Sequence, residues 1–435
     1  MSTGLARTSI RSRPSTFAGV VVALTFSATV ISTCVAMLVT VGRMAEFPNK
    51  AEVTDLSAAL TGGTGYLTIL MAAVVASLAV NQRERETALL RAVGARPGQV
   101  RRMVVAEMLL CAAPSAVVGY ALGSIAVRQW YRAMAAQGMV PADGQVSVGM
   151  LPLLVSFGVL GLTSVIGGLI AARRAARTRP AAAMARAAAP RDGMTWPRRV
   201  LAVVALAGSV ALTVVAFFLP QETAYDLVPL LLLAYLVAVG AAGPFLGRLV
   251  TALTVPVSRL LGVTGELAVA NNRARSRRMS AAIAPIAFAS SFAVAKLGEL
   301  YRDGRGLSDV EWLEIFGTGM YAGFAAVIAA STQVMLTMER LREVSLLRLV
   351  GVRRRRVVGM VVWESTIIAA GAVAIGAVVG TVVSVPMMAG GLPTVPAAGW
   401  FWITGSGVLV VVAAAVLPLL RLLTIRPIEG VAVRT

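Results

Sequence analysis

The chain contains no histidine, two cysteines and two lysines among 435 residues, and charged residues make up only 14% of it. Without histidine there is no general base of the usual kind and no triad, and Cys34 and Cys111 alone supply no His/Cys metal set. Both cysteines fall in long apolar runs, where a thiol reads as a packing residue. Lys50 in FPNKAE and Lys296 in AVAKLGE lack the glycines of the phosphate-binding pattern G-x-x-x-x-G-K-[ST], so no ATPase site of that kind is present. Apart from Glu107 and Glu364, no acid lies within the core of an apolar run, which leaves no titratable relay for a proton-driven carrier. The remaining acids of the intervening segments, among them Asp143, Glu222, Asp226, Asp303, Asp309, Glu311 and Glu314, form no paired catalytic motif.

What is abundant is apolar. Hydrophobic residues make up 57% of the chain and its mean hydropathy is +0.80, so lipid rather than water is its principal solvent. Ten runs are long enough to cross a hydrocarbon core that needs roughly 20 helical residues. They lie near 17–41, 60–82, 104–126, 149–172, 200–219, 227–247, 279–297, 317–338, 357–383 and 401–420. The first is too long for the apolar segment of a cleaved signal, typically about 7–15 residues, and reads as a retained span. Helices follow because backbone polar groups in hydrocarbon must be satisfied within the segment. If the amino terminus is cytoplasmic, the segments on its side carry 33 of the 40 Lys and Arg residues. The positive-inside rule then places both termini in the cytoplasm of a multi-pass protein of the bacterial inner membrane. The net charge of +20 describes that membrane face, in short loops without a basic soluble domain, which argues against nucleic-acid binding.

The chain also repeats itself. REtaLLRaVGaRpgqVrrMVVaE from Arg85 returns as REvsLLRlVGvRrrrVvgMVVwE from Arg342, with 13 of 23 positions identical at a constant offset of 257. The same offset relates Gly119 and Gly123 to Gly376 and Gly380, small-xxx-small stripes suited to close helix approach. Basic lead-ins precede spans one and seven, and Arg179-Pro180 and Arg426-Pro427 follow spans four and ten. The expected architecture is an all-α polytopic membrane protein with ten transmembrane helices. Its first four-helix unit is 1–190, a two-helix linker is 191–262, and the second four-helix unit is 263–435.

Each repeated connector alternates charge with apolar residues and then stops at a glycine. Arg85, Glu86, Leu89, Leu90, Arg91 and Val93 precede Gly94 and Arg96; Arg342, Glu343, Leu346, Leu347, Arg348 and Val350 precede Gly351 and Arg353. That pattern gives a short helix with a partly apolar face, ended by a residue tolerant of the left-handed conformation. Topology alone requires arginine there, not a duplicated Leu-Leu-Arg-x-Val-Gly, so the connectors read as docking surfaces. Glu107 and Glu364 stand just inside spans three and nine, either paired with an arginine such as Arg102 or Arg356 or serving in coupling.

The doubled R-E-x-x-L-L-R-x-V-G-x-R followed by M-V-V-x-E resembles the FtsX-like permease family, the membrane subunits of MacB-type ABC transporters. The resemblance implies that Arg85–Arg102 and Arg342–Val358 contact a separate ABC ATPase, two copies for two connectors, which binds ATP and Mg; this chain would bind no cofactor itself. It also implies export or extraction of an amphipathic substrate such as a peptide, antibiotic or lipid. Members of the family that pass ATPase motion to an extracytoplasmic enzyme or sensor, by mechanotransmission, set the alternative and would add an external partner. The large external domain of MacB-like members has no room here, since 42–59 and 298–316 are short.

Overall fold

The computed structural model describes residues 14–65 (without 56, 59 and 63), 94–177, 194–220 (without 195), 223–224, 227–260, 262–274, 276–302, 312–338, 340–388, 391–393 and 395–424. The helices are α1 (Pro14–Arg43), α2 (Pro97–Ala136), α3 (Leu151–Arg177), α4 (Trp196–Phe217), α5 (Val228–Leu260) and α6 (Gly262–Ala274). They continue as α7 (Ser276–Arg302), α8 (Trp312–Met338), α9 (Leu341–Leu349), α10 (Arg354–Ser384) and α11 (Ala397–Thr424). No strand occurs among the described residues.

Seven helices, α1 to α5, α10 and α11, are long and apolar enough to cross a membrane. Spans seven and eight fall on α7 and α8, whose apolar stretches, Ala282–Gly298 and Ala326–Met338, are shorter. Most of the span expected at 60–82 lies outside the described residues. The chain divides into two compact units, Met1–Arg191 and Asp192–Thr435.

In the first unit α1, α2 and α3 pack on one another, α1 against α2 most extensively. Glycine sets that contact. A Cβ on Gly119 would collide with Ala28 and with the backbone of Thr25 and Thr29, and one on Gly123 would meet Ser32 and the Thr29 carbonyl. Dispersion over closely apposed helices is the available driving force where lipid is as apolar as leucine. Hydroxyls supplement it: Ser32 and Ser156 share a 2.7 Å hydrogen bond between α1 and α3. At the end remote from Gly94, the Arg43 guanidinium donates to Ser147 (2.8 Å), the Ser147 amide donates to Thr40 (3.2 Å) and the Tyr131 hydroxyl donates to the Pro141 carbonyl (2.6 Å). The two Ser147 bonds tie the loop between α2 and α3 to the end of α1, and the Tyr131 bond ties it to α2.

The second unit uses its glycines in the same way. A Cβ on Gly376 would strike Ser290 and the Ala287 carbonyl, and one on Gly380 would meet Ser291 and Val294, so α10 lies close along α7. Helix α5 packs against α4, α7 and α10, and α8 against α7 and α11. Helix α4 has buried residues only at Ser209 and Ala216 and presents Val203, Val204, Leu206, Val210 and Val214 outward. At 1.5 Å per residue its 22 residues reach about 33 Å, enough to span. Polar contacts to α5 secure it: Pro244 has no amide to give the Gly240 carbonyl, the Arg198 guanidinium donates to the Gly240 and Ala241 carbonyls at 2.9 Å each, and the Thr213 and Tyr235 hydroxyls share a 3.1 Å hydrogen bond.

Candidate functional site: the connector and its buried anchor

The second connector folds into α9 and a sharply ended turn. Arg340 precedes the helix, and its carbonyl accepts the Val344 amide at 2.9 Å. At the other end Gly351 adopts φ +94°, which residues bearing a Cβ rarely adopt. The Gly351 amide donates to the Arg348 carbonyl (3.1 Å) and the Val352 amide to the Leu347 carbonyl (3.0 Å), the two bonds of a Schellman cap. That cap calls for an apolar contact between Leu347 and Val352, and both pack against one buried cluster of Ala268, Val344, Val357, Met360, Val361, Ala415, Leu419 and Leu423. The connector is therefore fixed to α6, α10 and α11.

This geometry divides the apolar residues into two sets. Val344 and Leu347 face the core, whereas Leu346, Leu349 and Val350 face outward, Val350 with 85% of its surface exposed. Leu347, expected on the docking face, is turned inward instead. Leu349 was missed because the repeat has Ala92 at its counterpart, although its position three residues beyond Leu346 on a helix was the available signal. Glu343 and Arg348 are half-buried at the margin, and Arg342 lies on α9. Arg353 is extended and exposed ahead of α10, followed by exposed Arg354, Arg355 and Arg356.

Of the first connector, Arg85, Glu86, Leu89, Leu90, Arg91 and Val93 lie outside the described residues. Its exit is described: Gly94 has φ +104° and Arg96 is extended, as at Gly351 and Arg353. The Gln99 side chain accepts the Arg96 amide at 2.9 Å, and Pro97 begins α2 without needing a hydrogen-bond partner for its nitrogen.

Glu364 is 1% exposed and is held from three directions. The guanidinium of Arg340, itself buried, pairs with Oε2, and the Asn271 amide of α6 donates to Oε1. Asn272 donates to the Glu364 backbone carbonyl at 3.3 Å, and Gln333 of α8 donates to the neighbouring Ser365 at 3.3 Å. The partner is not Arg356, which starts two turns away on the same helix and is exposed. Glu107, at the matching position of α2, is 3% exposed. No cluster of metal-binding side chains occurs among the described residues.

Long apolar helices joined through a capped, polar connector fit an α-helical polytopic membrane protein. The chain belongs to the FtsX-like permease family: the model described as FtsX-like permease C-terminal matches residues 59–180 and 315–427, more than half of the sequence and both connectors. It is also similar to the Macrolide export ATP-binding/permease protein MacB of Azoarcus sp. (strain BH72), at 29% identity over 128 residues. That match covers 29% of this chain and 17% of the relative, so the chain spans less than a fifth of that protein.

Proposed function

We propose that this chain is the membrane subunit of an ABC transporter, driven by a separate ATPase that docks on the two repeated connectors. The observation that carries the reading is the outward apolar face of Leu346, Leu349 and Val350 on a helix whose opposite face is locked into the core. Solvent-facing leucine and valine on a rigid, arginine-flanked helix suit a partner with an apolar depression and an acidic rim. Membership of the FtsX-like permease family supports an ATP-driven partner, two connectors support two ATPase copies, and ATP and Mg belong to those copies.

The arginine distribution supports connectors and termini on the cytoplasmic side of the inner membrane. The matching roles of Gly119/Gly123 and Gly376/Gly380 support two four-helix repeats, with α4 and α5 as the inserted pair that returns the chain to the starting side. The short outer segments favour export or extraction of an amphipathic peptide, antibiotic or lipid from the bilayer over motion of an external domain.

The test replaces Leu346, Leu349 and Val350 together with serine. ATPase co-purification should fall by at least about tenfold while membrane insertion persists, since buried apolar anchors dominate interface energy. Arg348→Gln should weaken association less and reduce its salt sensitivity. Stoichiometric ATPase on the triple variant would show that α9 is not the docking element.

A further inference from the structure

The buried cluster around Glu364 lies where α9 begins, where α10 enters the apolar region and where α6 leads into α7. Arg340 has the right to water as a helix-leading residue, yet its side chain turns inward to Glu364. Taking both charges out of water is unfavourable unless geometry and further hydrogen bonds compensate, and Asn271 supplies one such bond. A buried pair of this kind contributes little to net stability against an apolar filling but fixes which segments lie together. It recurs in the sequence: the offset of 257 sets Arg83 opposite Arg340 and Glu107 opposite Glu364, and Glu107 is buried too. Arg83 lies outside the described residues.

We propose that Arg340, Glu364 and Asn271 are positioning residues that clamp the start of α9 to α10 and α6, so that a displacement of the docking face is carried into both helices. Apolar packing alone can slide, whereas a directed ion pair with a hydrogen bond on each carboxylate oxygen holds one register. The role in transmission rests on the reading of α9 as the docking helix. The clamp itself does not, and it is tested without any ATPase.

The experiment is hydrogen exchange on the full chain in lipid nanodiscs, followed over 341–349 and 262–274, with 151–169 as reference. Arg340→Gln and Glu364→Gln should each accelerate exchange in 341–349 by about tenfold or more, while 151–169 keeps its rate. Arg340→Lys should fall between these variants and the parent, since it keeps the charge and loses the planar fork. The reciprocal swap R340E/E364R should restore most of the protection, which a merely space-filling role would not produce. Asn271→Ala, which leaves the pair intact, should loosen 262–274 selectively. Spin labels at Leu267→Cys and Val350→Cys, both exposed while Cys34 and Cys111 are buried, should show a narrow distance distribution that broadens in Arg340→Gln. Unchanged exchange over 341–349 in both glutamine variants, or a swap no better protected than either, would overturn the clamp. Undiminished ATPase binding by the Leu346, Leu349 and Val350 serine variant, whose clamp is intact, would instead overturn the docking reading.

Discussion

Replacing Gly119 with alanine adds one methyl group between α1 and α2, and its cost follows from the structure. The new Cβ would lie 2.9 Å from both the Thr25 carbonyl oxygen and the Thr29 nitrogen, and against the Ala28 Cβ. Backbone atoms do not rotate out of the way, so the helices must separate. Overpacking of this kind costs about 1–3 kcal/mol. Against it stands the helix-propensity gain of glycine to alanine, up to about 1 kcal/mol. Gly158→Ala isolates the two effects, because a Cβ there on α3 meets nothing within 4 Å and the propensity gain is shared. Gly119→Ala should therefore unfold more readily than Gly158→Ala by about 1–3 kcal/mol. Titration with SDS in mixed micelles, followed by tryptophan fluorescence, gives the ranking even where unfolding is not two-state. Equal stability of the two variants would refute a close α1–α2 approach set by glycine, and Gly380→Ala, facing the Ser291 carbonyl at 2.6 Å, repeats the test in the second unit.

Arg198→Gln should destabilise the α4–α5 pair by about 1.5–3 kcal/mol, the range for hydrogen bonds to charged groups. The loss should shrink in a Pro244→Ala background, where the Gly240 carbonyl regains an amide within its own helix; equal losses in both backgrounds would reject the capping role. Gly351→Ala should lower thermal stability by about 1–2 kcal/mol, the cost of a Cβ in left-handed backbone, whereas Gly351→Asn should cost less. Single cysteines at Arg353 and Asp143 should react with an impermeant maleimide from opposite sides of sealed vesicles, and labelling from one side would overturn the proposed topology.

Periodicity and repetition made much of this legible in the sequence. The paired glycines announce close helix contacts because only small residues at a spacing of four leave such a groove, and the structure fills it with α1 and α7. Gly351 announces a helix end because a repeated glycine after an amphipathic stretch suits a left-handed cap, and Gly94 takes the same positive φ. What the sequence concealed depends on chain segments distant from one another. Leu346 and Leu347 are alike as residues, and the Schellman contact with Val352 decides which one turns inward. The partner of Glu364 looked like Arg356, eight residues away, but eight residues of helix rise about 12 Å, too far for a direct pair. Arg340 reaches it because α9 folds back on α10, and Asn271 because α6 lies beside both. The Arg198 cap needed the knowledge that Pro244 frees a carbonyl within its reach.

The most direct measurement of the central claim places a photo-crosslinking amino acid at Val350 or at Trp402. Both side chains are exposed, and Trp402 lies at the end of α11 opposite the residues that pack with α9. In membranes containing the co-expressed ATPase, position 350 should give an adduct whose partner peptides carry a P-loop, and position 402 should give lipid adducts alone. An ATPase adduct from 402, or none from 350 while ATPase remains bound, would contradict a permease driven through its connector helix.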